Sequence, residues 1–129
     1  MLAVVDYGVG NLFSLTCSLR AVGVEAAVTG DEAVLARADR VILPGVGAFG
    51  DAADALRRTG LDQAVLREGE RGKPLLGICL GIKLLLDYST EYGRHQGLGL
   101  IPGSVRAIRP EVPRSYKVPH MGWNALHFP

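Results

Sequence analysis

Short apolar runs alternate along this chain with stretches of helical spacing, and that alternation limits the fold more than any other feature. The runs are LAVV (2–5), VEAAV (24–28), VILPG (41–45) and PLLGI (74–78). Each is too short for a stable helix, and three of the four carry no charge, as expected of strands buried on both faces. Between the first two lies NLFSLTCSLRAV, with apolar residues at Leu12, Leu15, Leu19 and Val22. That spacing predicts a helix, with Asn11 as its N-cap and Gly23 as its stop. Cys17 falls inside this segment and is expected to be a packing residue. DEAVLARAD predicts a short helix capped by Asp31, and GDAADALRRTGLDQAVLREGERG predicts two helices broken at Gly60. GIKLLLDYS predicts a helix directly after the fourth strand. From Tyr92 onward glycine, proline and short apolar pieces predict short strands and loops. The pattern as a whole predicts a doubly wound, mostly parallel α/β sheet of the flavodoxin-like kind, covered on both faces.

Composition narrows the function classes. The 129 residues suit one domain, with 48% hydrophobic and 21% charged residues. Fourteen basic side chains against thirteen acidic ones leave a net charge of +1. No electrostatic footprint for nucleic acid or an anionic membrane follows from that balance. No stretch approaches the roughly 18 apolar residues of a membrane helix, and MLAVVDYG does not read as a secretory signal. Two cysteines, Cys17 and Cys79, make no disulfide framework, so a reducing cytoplasm is the expected compartment.

The glycine turns carry the chemistry. In DYGVGN, Gly8 and Gly10 follow a strand and precede a helix, but Phe13 stands where a dinucleotide fingerprint needs its third glycine. That turn is read as a plain strand-to-helix connection. In PGVGAFG, Gly45 and Gly47 flank Val46 and free its peptides to turn, so the loop can aim N–H groups at an anion. G-I-C-L-G (77–81) is the cysteine form of the nucleophile elbow, in the required strand–turn–helix context. Glycines at 77 and 81 answer the crowding where strand and helix pass each other. A helix beginning at Leu80 points N–H groups at the sulfur and favours thiolate over thiol. Cys79 is therefore read as a nucleophile. Such a thiolate ordinarily works with a base held by a third group. Of the histidines, His95 sits in a polar turn and is expected to be solvated, His127 is near the end, and His120 lies in VPHMGWN, a segment suited to a contact surface.

PGVG, GICLG, GLGLIPG and KVPHMGWN, in this order after DYGVGN, closely resemble the glutaminase subunits of imidazole glycerol phosphate synthase. These belong to the class I, triad-type glutamine amidotransferases. The resemblance runs over essentially the whole chain. It implies that glutamine is hydrolysed to glutamate and ammonia through a cysteinyl thioester. The ammonia would pass to a cyclase partner, a (β/α)8 barrel bound as a heterodimer, for histidine biosynthesis. Carried over, Cys79 would be the nucleophile, and the Leu80 N–H with the strand around Val46 would form the oxyanion hole. Gly45 and Gly47 would line the glutamine site, and a loop that flips there would couple the two sites. Asn11, His120, Met121 and Trp123 would face the barrel. No cofactor and no metal is implied.

This sequence departs from the family pattern twice. The family carries its catalytic histidine and glutamate in a His-Pro-Glu motif, which is absent here. Residues 1–129 are therefore expected to form an incomplete, C-terminally truncated amidotransferase domain without its base and orienter. Lys83 also stands where the family has a glutamine that holds substrate. An inactive domain that docks on the barrel as a binding module is the alternative reading. A redox-sensing cysteine hydrolase with the same elbow would have histidine after the cysteine, where this chain has Leu80.

Overall fold

The computed structural model describes residues 1–129. Strands β1 (Leu2–Val5), β2 (Ala26–Thr29), β3 (Arg40–Leu43) and β4 (Leu75–Gly77) form a wholly parallel sheet in the order β2-β1-β3-β4. Between them run α1 (Leu12–Ala21), α2 (Glu32–Arg37), α3 (Phe49–Thr59) and α4 (Leu61–Glu70). Local chemistry sets the ends of these helices. The Asn11 side chain accepts from the Ser14 N–H, and that of Asp31 from the Ala33 N–H, each satisfying an otherwise free first-turn donor. Gly60 takes φ +74 and separates α3 from α4, a left-handed turn that glycine adopts without a Cβ penalty.

The chain steps from β1 outward to β2, then returns past β1 to β3. Right-handed crossovers on that path put α1 on one face and α2, α3 and α4 on the other. The second face is the core: Ala3, Val5, Val41 and Leu43 pack against Leu35, Phe49, Ala52, Leu56, Leu61 and Val65. Below it, Glu68 and Lys73 form a buried ion pair of 2.6 Å. The Lys73 ammonium also donates to the Leu35 and Ala36 carbonyls at the end of α2.

The first face is covered less completely than the sequence predicts. Val28, Val4, Ile42 and Leu76 stand in one row across the four strands. Val4 and Ile42 are buried, whereas Val28 is 40% and Leu76 55% exposed. A helix about 10 Å across spans two strands about 4.8 Å apart, so α1 alone leaves the outer two open. Helix α1 rests on the sheet through half-buried Leu12, Leu15 and Leu19 and has no fully buried residue. Cys17 is exposed, contrary to its expected packing role. It lies about 140° around the helix from Leu12, on the side opposite the apolar stripe.

The expected helix over GIKLLLDYS is also cut short. Helix α5 covers only Leu80–Leu84, and Leu86–Ser89 is a strand, β5. β5 pairs antiparallel with β6 (His95–Gln96) and parallel with β7 (Ile101–Val105) in a second, three-stranded sheet. Those partners supply hydrogen bonds that outweigh the helical spacing of the leucines. A 3₁₀ turn at Arg109–Glu111 follows, and residues 113–129 are exposed and without regular structure. No helix is long and apolar enough to cross a membrane.

Candidate active site

In a doubly wound sheet, ligands bind beyond the carboxyl ends of the strands, where the strand order reverses. Here that point lies between β1 and β3, and the glycine turns converge on it. A Cβ on Gly10, after β1, would lie 3.3 Å from the Pro44 ring, after β3. A Cβ on Gly45 would lie 2.9 Å from the Gly81 nitrogen, in the turn after β4.

The elbow itself is crowded to the limit. A Cβ on Gly77 would lie 2.6 Å from the Ile82 backbone, and one on Gly81 only 1.8 Å from the Leu43 carbonyl oxygen. The Leu43 carbonyl also accepts the Ile78 N–H at 3.0 Å. Held at both sides, the chain turns at Cys79 with φ +55 and ψ −116. Glycine adopts that backbone readily and other residues seldom do, and such strain concentrates at functional sites. The thiol is thereby exposed at the tip of the turn. Helix α5 is only five residues long. What it offers the sulfur is the local, unpaired N–H of Leu80 and not the field of a long helix.

A hollow of about 280 Å³ opens beside Cys79, lined among others by Asn11, Ser14, Ser18, Gly45 and Val46. Neither the Val46 N–H nor the Leu80 N–H donates to any group of the protein. Two free donors near a strained, exposed thiol are what an oxyanion requires. The Gly45–Val46 peptide, which carries that Val46 N–H, has neither its N–H nor its carbonyl bonded within the protein and so is free to turn. Gly47 after it takes φ +87 with open space around its Cα. Gly45, by contrast, is buried.

Tyr7 was not singled out by its sequence context. Its ring is 3% exposed, and its hydroxyl donates to the Pro44 carbonyl at 2.7 Å. Burial pushes that hydroxyl up to about 12.

Asn11 keeps its carboxamide oxygen in the α1 cap, which leaves its NH₂ group free at the rim of the hollow. Lys83 lies apart from it, exposed on α5 and lining a different hollow with Glu91, Arg106 and Arg109. His120, Met121 and Trp123 stand in the irregular C-terminal segment, with Trp123 fully exposed. No histidine, aspartate or glutamate lines the Cys79 hollow. His95 is half-buried, not solvated as expected: a Cβ on Gly50 would lie 2.7 Å from its ring, and Nε2 sits 3.1 Å from the Tyr92 carbonyl. No group of three or more His, Cys, Asp or Glu is placed to hold a metal ion.

Residues 8–113 match the family model of the CobB/CobQ-like glutamine amidotransferase domain. The chain is 48% identical over 129 residues to the imidazole glycerol phosphate synthase subunit HisH of Syntrophotalea carbinolica, covering 98% of this chain and 63% of that protein. It is 50% identical to the subunit of the same name from Bacillus velezensis, covering 99% of this chain and 61% of that one. The chain thus spans about three fifths of the length of these curated relatives. Among solved structures, a glutamine amidotransferase superposes with a TM-score of 0.69 at 24% identity, over 81% of this chain and 55% of that one. That likeness concerns the fold alone.

Proposed function

The chain belongs to the CobB/CobQ-like glutamine amidotransferase domain family, and from that premise we propose that Cys79 is the nucleophile of a glutaminase. The Cys79 thiolate attacks the side-chain carbonyl carbon of glutamine, and a C–S bond forms. The carbonyl oxygen, now negative, lies between the N–H groups of Val46 and Leu80. Collapse breaks the C–N bond, and the nitrogen takes a proton from solvent water in the open hollow and leaves as ammonia. Water then cleaves the thioester to glutamate and free thiol. Gly45 and Gly47 shape the glutamine site, and the free Gly45–Val46 peptide between them lets the oxyanion hole be switched.

The observation that carries this reading is the strained, exposed Cys79 beside two N–H donors with no partner in the protein. The partner is inferred from the relatives, which are named as subunits of imidazole glycerol phosphate synthase. Ammonia would pass to a barrel-shaped cyclase, with Asn11, His120, Met121 and Trp123 at the contact. The exposure of Met121 and Trp123 suits that role, since large exposed apolar side chains that cluster mark interaction surfaces.

One observation favours a second reading. No side chain able to take the thiol proton lines the hollow, and Lys83 faces elsewhere. A domain in that condition would dock on the barrel without turning glutamine over. Mixing the chain with a relative's cyclase separates the two readings. Glutamate formation that disappears in Cys79→Ser supports the glutaminase. A stable complex that forms no glutamate leaves the binding module.

A further inference from the structure

We propose that Tyr7 is a positioning residue for the oxyanion loop, an inference that rests on the glutaminase reading of the same site. The geometry points to one shared contact. The Tyr7 hydroxyl holds the Pro44 carbonyl at 2.7 Å. A Cβ on Gly45 would meet that same hydroxyl at 3.0 Å, the Leu80 side chain at 2.9 Å and the Gly81 nitrogen at 2.9 Å. The turn after β1, the start of the Gly-Val-Gly loop and the start of α5 therefore meet around Gly45, with the Tyr7 hydroxyl as one wall of that contact.

That arrangement divides the loop in two. A peptide whose carbonyl is hydrogen-bonded inside the protein cannot rotate without leaving a buried acceptor unpaired, which costs about 1–3 kcal/mol. The Pro44–Gly45 peptide is thus fixed, and both residues are buried. Val46 and Gly47 lie beyond it, exposed, with open space at Gly47. Tyr7 fixes the peptide just before the one that carries the Val46 N–H, confines the motion of the loop to the Gly45–Val46 peptide and beyond, and so sets where the Val46 N–H stands relative to Cys79. Its hydroxyl stays protonated, and so remains a donor, throughout the ordinary pH range.

The test compares two reagents on the intact chain, in wild type and Tyr7→Phe. Iodoacetamide alkylates a thiol at a saturated carbon and needs no oxyanion hole. A diazoketone analogue of glutamine presents a carbonyl that does. Tyr7→Phe should react with iodoacetamide at Cys79 within about twofold of wild type, and with the diazoketone at least about tenfold more slowly. A misplacement near 1 Å costs roughly 10²-fold, so a loop released at its base should lose a clear part of that. A p-aminophenylalanine at position 7 keeps an N–H donor for the Pro44 carbonyl and should recover most of the rate. It also serves if the phenylalanine variant does not fold. Equal loss with both reagents, or no loss with either, overturns the positioning role while a glutamine-selective wild type keeps the glutaminase reading. A wild type that does not prefer the glutamine analogue over a diazoketone lacking the amino-acid part overturns both.

Discussion

The Leu43 carbonyl oxygen occupies the space a side chain at Gly81 would need, 1.8 Å from where its Cβ would stand. Strand β3 and the start of α5 touch backbone to backbone at that point, and the elbow exists because nothing separates them.

Gly81→Ala should therefore be among the most destabilising changes in the chain, at about 3 kcal/mol or more, because the obstacle is backbone that cannot swing aside. Gly47→Ala meets no neighbour and should cost only the left-handed φ, about 1–2 kcal/mol. Urea denaturation of both variants checks the ranking. Equal costs would mean that the close approach is relaxed in solution.

The strained turn makes a second prediction. Cys79→Gly should be at least as stable as Cys79→Ala, because glycine relieves a φ of +55 with ψ −116 and such strain costs about 1–3 kcal/mol. Elsewhere in a fold, glycine in place of alanine loses about 0.5–1 kcal/mol. A glycine variant clearly weaker than the alanine variant would show that the turn carries no strain.

Much of this was legible in the sequence wherever the cause was local. Asn11, Asp31 and Gly60 act through their own turns, and Gly77 answers crowding against Ile82, five residues on, whereas the need for Gly81 comes from Leu43 on another strand. Partners far along the chain were not legible. A run of leucines reads alike in a helix and in a buried strand, and only pairing with Ile101–Val105 makes Leu86–Ser89 a strand. The Tyr7–Pro44 bond joins residues 37 apart, and no motif announces it. The same holds for His95, whose ring depends on the missing side chain at Gly50. Cys17 departs from its expected packing role for a different reason: it lies within the apolar helix segment, but its angular position sets it opposite the stripe of α1.

The buried pair under the core sets an acid dependence. The hydrogen bond from Lys73 holds the Glu68 carboxyl below its ordinary value, with further help from the charges of Lys73 and Arg71. A depressed carboxylate contributes stability that is fully present above its unfolded value of about 4.3 and is lost as pH falls through the folded value. Lys73→Met should cost about 1–3 kcal/mol at neutral pH, because the buried carboxylate keeps only the more exposed Arg71, 3.1 Å away, as a partner. Its stability should fall less steeply than wild type below pH about 4. Urea midpoints between neutral and acid pH check both the cost and the slope, and parallel acid limbs would count against the pair.

The open row on the first face predicts self-association. Leu76 stands on edge strand β4 and is 55% exposed, an arrangement that invites pairing with another chain. Leu76→Lys should shift the chain toward monomer in light scattering while changing stability by less than about 1 kcal/mol. An unchanged association state would assign the contact to another surface.

Both cysteines are exposed, which gives the central claim an internal control. The intact chain is treated with the glutamine-like diazoketone, and the adduct is located by peptide mass spectrometry. If the elbow makes Cys79 a nucleophile for glutamine, a single adduct forms at Cys79, none at Cys17, and free glutamine slows its formation. Comparable labelling of Cys17 and Cys79, unaffected by glutamine, would show that exposure alone governs reactivity and would contradict the account.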